Sequence, residues 1–203
     1  MHISEGVLSA PVLLTGGALT VMGTAIGLKK LDYDRLPQVA VLSATFFVAS
    51  LIHIPVGPSS VHLILNGLMG LFLGWIAFPV VLVALALQAV LFQFGGLTAL
   101  GVNTLNMALP AVVCYYVLGA LARGDNFNLS MLASFLAGAG AIFMSSLGMA
   151  SALVFTGESF WPVAKLIVFA HIPVMILEGI IVAVCVQFLK KVRPEMLDAV
   201  YVK

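Results

Sequence analysis

Long apolar runs, broken at short intervals by polar or helix-breaking clusters, occupy almost the whole chain. With no water to pair with, a backbone in hydrocarbon must satisfy its own hydrogen bonds, so such runs become helices of about 20 residues. Seven spans follow: residues 9–28, 38–54, 60–77, 78–94, 105–122, 129–155 and 161–189. The breaks are chemically distinct. LKKLDYDRLP ends the first run, while Pro55, Gly57 and Pro58 separate the second from the third. Gly95-Gly96 marks a loop after the fourth. The reading is an all-α, polytopic membrane bundle forming one unit over residues 1–203. Residues 1–8 make an N-terminal segment, 9–189 the bundle and 190–203 a basic tail.

Composition sharpens this picture. Of 203 residues, 62% are hydrophobic and only 8% charged, against about 25% charged in soluble domains. A net charge of +1 supplies no basic patch for phosphates, which excludes a nucleic-acid partner. Cys114 and Cys185 each sit inside an apolar run and read as small buried residues. The segment before the first run lacks Lys and Arg and carries Glu5, the reverse of a signal peptide, so the first helix is expected to be retained. There is no GxxxxGK[ST] loop for ATP.

Charge also orients the bundle. With seven spans, Lys29, Lys30, Arg35, Arg123, Lys190, Lys191, Arg193 and Lys203 fall on one side, and only Lys165 falls on the other. The positive-inside rule makes the basic side cytoplasmic, with the N-terminus outside. All four histidines (His2, His53, His62, His171) then lie in the outer half.

The first six residues, MHISEG, place a histidine directly behind an amine. The Met1 amine, the deprotonated amide nitrogen of His2 and its Nδ1 can close a five- and a six-membered ring around one ion. That fixes three corners of a square and leaves the fourth to another part of the chain. Nitrogen ligation in a plane suits late first-row divalent ions, not Mg²⁺ or Ca²⁺. Retention of Met1 is expected, because His2 is bulky. His62 is the candidate fourth ligand, at the expected start of the third helix with Ser59 and Ser60 as its caps. His53 is an alternative ligand or a supporting group. Asn103 and Asn106, one turn apart, are candidates for cross-linking helices, orienting a loop or lining an ion path, and with Ser59, Ser60 and His171 are candidate supports behind the metal ligands. His171 and Glu178, seven residues apart on one helix face, are read as a structural pair or a relay. Glu178 is the one acidic residue well inside a span, where a charge needs a partner. Gly16, Gly23 and Gly27, and the Gly138, Gly140, Ser145, Ser146, Gly148 and Ser151 series, permit close helix approach, chiefly within the chain.

Four stretches together (MHISEG, HIPVGPSSVHLILNGLMGLFLG, FGGLTALGVNTLNMALP and AHIPVMILEG) resemble the substrate-binding membrane component of cobalt/nickel energy-coupling-factor transporters, the CbiM/NikM type. The resemblance implies a seven-helix bundle with Met1 inserted from the outer face. It implies Co²⁺ or Ni²⁺ as cargo, held by the Met1 amine, the amide and imidazole of His2, and His62. It implies a non-enzymatic transport subunit in a prokaryotic cytoplasmic membrane. A transmembrane coupling subunit and ATPase subunits are its expected partners, with a small two-helix auxiliary protein as another. Cobalt is the first expectation and nickel the alternative. A rival from another class is a proton-driven secondary transporter using His171 and Glu178. An intramembrane metalloenzyme is disfavoured by the lack of HExxH.

Overall fold

The computed structural model describes residues 2–56 and 59–197, the side chains of 53–61 excepted. Eight α-helices and one hairpin make up the described chain: α1 Ala10–Lys29, α2 Leu36–Ala49, β1 His53–Val56, β2 Ser59–His62, α3 Asn66–Leu73, α4 Ala77–Phe92, α5 Leu100–Arg123, α6 Phe127–Thr156, α7 Trp161–Ala170 and α8 Ile172–Val192. Five stretches are long and apolar enough to cross a membrane: Ala10–Lys29, Asn66–Phe92, Leu100–Arg123, Phe127–Thr156 and Glu158–Val192. Large apolar side chains such as Leu14, Val90, Val117 and Phe155 lie on the outside. That arrangement is unfavourable in water and normal where lipid is the solvent.

Cross-bonds sort the helix ends. At one end, Ser9 N–H donates to Thr156 Oγ1 (3.2 Å), and His2 meets Gln88. At the other, Gln38 donates to the Met196 carbonyl (2.8 Å) and Lys190 to the Gly124 carbonyl. The Asn66–Phe92 stretch is not one rod. Asn66 donates to the Met107 carbonyl near the start of α5, and Gln88 lies beside His2, whereas Trp75 backs onto Gly27 near the far end of α1. The chain therefore folds back at Gly74–Ile76, where Gly74 takes φ +48°. This matches the expected division between the third and fourth spans.

The expected glycine faces do pack helices together. Gly16 sits on Val102, Gly23 on Phe78, and Gly138 on the Glu178 backbone. Gly140, in contrast, has open space where a side chain would stand. All eight residues of α3 are buried, as befits a short helix enclosed by α5, α6 and α4.

One expectation needs correction and another gains detail. The third span does not begin as a helix at residue 60, and Ser59 and Ser60 are not its caps. Both belong to β2, paired with Val56 and Pro55 of β1, while His53 pairs with His62. Three further residues follow, with Leu65 in the left-handed region (φ 56°), before α3 starts at Asn66. The seventh expected span lies within the one apolar stretch Glu158–Val192, with a local break at His171. Pro173 has no N–H for the turn behind it, which marks the boundary between α7 and α8.

Candidate metal centre

The N-terminal segment is buried by its apolar residues before α1 begins. Ile3 and Leu8 pack with Val102, Ala152 and Leu153 between α5 and α6. Burying side chains of this size contributes about 2 kcal/mol each. Asn103 of α5 then grips the backbone from both sides. It accepts from Ile3 N–H (2.9 Å) and donates to the Ile3 carbonyl (3.0 Å), as a neighbouring strand would. Glu5 accepts from Thr98 N–H (3.2 Å), tying the segment to the loop after α4. That loop presses closely. Gly95 and Gly96 both have positive φ, and a side-chain carbon at Gly96 would overlap the Glu5 carboxyl group.

These contacts set the His2 ring among three groups. Its Nε2 lies 2.9 Å from Gln88 Oε1. Its centroid is 5.9 Å from the Phe94 ring and 4.9 Å from the His62 ring. Burial, foremost, holds the His2 imidazole down to about 4. The ring is therefore neutral at neutral pH and able to offer a lone pair.

His62 arrives from the end of β2 and is buried. Its Nδ1 lies 3.0 Å from the Leu63 carbonyl, and its Nε2 lies 3.1 Å from His2 Nδ1. The segment after it is fixed from α8. Glu178, fully buried, accepts from Ile64 N–H at 2.5 Å and from Leu65 N–H at 3.0 Å. One side chain thereby takes up two backbone amides ahead of α3, which would otherwise be buried without an acceptor.

The other candidates separate clearly. Asn103 joins the centre through Ile3. Asn106 instead faces Gly148 of α6. His171 is buried, and its Nδ1 bonds the Ile167 carbonyl one turn back (2.7 Å). The side chains of His53, Ser59 and Ser60, and all of Met1, lie outside the described residues. Gln88 was not singled out from the sequence, although a lone amide in VVLVALALQAVLF is the signal that marks it. Among the described residues no three His, Cys, Asp or Glu side chains converge on a common point. Among the described side chains the centre thus offers two imidazoles, those of His2 and His62.

Residues 2–196 match the family described as the cobalt uptake substrate-specific transmembrane region, CbiM. A Haemophilus influenzae protein provisionally named a metal transport protein is 44% identical, covering 98% of this chain and 97% of its own. A cobalt transport protein CbiM of Sorangium cellulosum is 32% identical over 100% of this chain and 96% of its own. A crystal structure of a truncated transition metal transporter superposes with a TM-score of 0.76 at 29% identity. That match covers 94% of this chain and 99% of the other.

Proposed function

The chain belongs to the CbiM family of substrate-specific membrane components for cobalt uptake, and from that premise we propose that it captures Co²⁺ or Ni²⁺ in a plane of four nitrogens. The four are the Met1 amine, the His2 amide nitrogen, His2 Nδ1 and His62 Nε2. The 3.1 Å separation of the two imidazole nitrogens carries this reading. In the chelate, the amide nitrogen stands between the amine and Nδ1, so the open corner adjoins Nδ1. Ligands about 2.0 Å from an ion in adjacent corners lie about 2.8 Å apart, whereas opposite corners lie about 4 Å apart. The observed pair fits adjacent corners with a small closure. Binding must expel protons from the amine and the amide, so affinity rises with pH.

The same reading orients the molecule. The chain crosses seven times, with the third crossing completed by the hairpin and α3. The end carrying Lys29, Lys30, Arg123 and Lys190 faces the cytoplasm of a prokaryotic cell, and His2 opens to the outside. Delivery inward depends on a coupling subunit and ATPase subunits, and a small two-helix auxiliary protein is a further partner. Relatives named as fusions support such joint work. One is a fused nickel transport protein NikMN of Rhodobacter capsulatus, 39% identical over 59% of this chain. The two amides held by Glu178 favour its structural role over a proton relay with His171. Cobalt remains the first expectation and nickel the alternative, since four nitrogens accept both.

The test is metal binding by purified protein and uptake by cells containing the partners. His2→Ala, and a single residue added before Met1, are each expected to abolish both. Undiminished uptake by either variant sinks the proposal.

A further inference from the structure

We infer that Gln88 is a positioning residue that selects the metal-competent tautomer of His2; this rests on the nitrogen-plane reading above. The chelate can use only Nδ1, because Nε2 is too far around the ring to close with the same residue's amide nitrogen. A neutral imidazole carries its proton on one nitrogen and its lone pair on the other. The hydrogen bond made by the far nitrogen therefore decides which nitrogen can bind.

The direction of that bond follows from a chain of three groups. Ser50 Oγ donates to the Phe47 carbonyl (2.6 Å), which uses its single proton. Ser50 can then only accept from Gln88, whose Nε2 lies 2.8 Å away. The Gln88 amide is thereby oriented, and its Oε1 must face His2 Nε2. An oxygen there accepts, so Nε2 holds the proton and Nδ1 the lone pair. Gln88 is fully buried and Ser50 nearly so, which excludes water as a substitute partner for the amide. His62 is arranged alike. Its Nδ1–H meets the Leu63 carbonyl, leaving Nε2 with a lone pair. With both rings neutral, the two nitrogens 3.1 Å apart turn lone pairs toward each other, and a cation between them relieves that repulsion. The end of α2, through Ser50, and the outer part of α4, through Gln88, are in this way part of the binding apparatus.

Buried packing and tautomer control predict opposite orders for two substitutions. Gln88→Leu keeps an apolar filling and removes the acceptor. Gln88→Glu keeps the acceptor and introduces a buried charge, which a packing role tolerates worse. Purified protein in detergent would be titrated with NiCl₂ by calorimetry. Metal-free protein carrying ¹⁵N-histidine would be examined by NMR for the protonated nitrogen of His2. Gln88→Leu is expected to weaken Ni²⁺ binding about 10–100-fold, the usual range for groups behind a ligand. It should also give a mixed His2 tautomer. Gln88→Glu is expected to stay within a few-fold of wild type with Nε2 protonated. Should Gln88→Leu fail to fold, Ser50→Ala frees the amide to turn and should shift the tautomer in the same direction. Wild-type binding and tautomer in Gln88→Leu would overturn the inference, as would Gln88→Glu ranking below Gln88→Leu. If wild type bound no Ni²⁺, the nitrogen plane itself would fall, and the NMR assignment would still decide the role of Gln88.

Discussion

The two imidazoles of the centre are held by opposite means. His2 stands on a segment with no regular structure, fixed by the helix side chains of Asn103 on Ile3 and Gln88 on the ring, and by the Thr98 N–H of the loop after α4 on Glu5. His62 stands on backbone that is itself pinned, paired in a hairpin on one side and bonded to Glu178 on the other. The first support consists of separable polar contacts, each worth about 1 kcal/mol net. The second runs through a buried carboxylate, and its loss leaves two amides without a partner. Perturbing the first should therefore damage binding ahead of folding, and perturbing the second should damage both.

The sharpest way to break this contrast is on the His62 side. Glu178→Ala is expected to lower stability by roughly 3 kcal/mol, since two buried amides lose their acceptor. Glu178→Gln, which keeps an acceptor, should recover a good part of that. Thermal unfolding of metal-free protein in detergent measures both, and an unchanged melting temperature for Glu178→Ala would refute the pinning role. Next comes Asn103→Ala. It should weaken Ni²⁺ binding by about 10-fold while costing only about 1 kcal/mol of stability, a split readable from calorimetry and melting on one sample. A larger loss of stability than Glu178→Ala would reverse the contrast.

A third test uses protons. The His2 ring, followed by NMR in metal-free protein, should stay neutral from about pH 8 down to about pH 5. It should gain its proton only toward the value of about 4 that burial imposes. Titration near 6.5, the ordinary histidine value, would show a wetter N-terminal segment than the one described. The smallest effect belongs to Glu5→Gln. Its contact with Thr98 is exposed and 3.2 Å long, and an amide oxygen can still accept. Metal affinity should change less than about 3-fold, since exposed contacts contribute little.

The legibility of the sequence divides along the same line. His2 and His62 could be named because coordination chemistry depends on residue type and on position behind the amine, and both are visible in a string of letters. The glycine contacts of α1 and α6 could be anticipated for a similar reason: small residues recur at helical spacing. The hairpin could not. HIPVGPSSVH lies between apolar runs, and a span of about 20 residues absorbs its second half as helix turns. What stops the helix is tertiary: Leu65 is left-handed, at a cost of roughly 1–2 kcal/mol, beside amides that Glu178 satisfies. Gln88 escaped notice because its meaning depends on Ser50 and His2, respectively 38 and 86 residues away.

The grip of Asn103 on Ile3 spans 100 residues. The ribosome therefore releases the histidine-bearing segment long before the helix that seats it exists. The proposed metal cradle is therefore incomplete on a nascent chain, and the segment must dwell unanchored until α5 has been made and has joined its neighbours. Under the proposed function, occupancy is acquired only once the bundle has assembled, and metal captured there would report that assembly is finished.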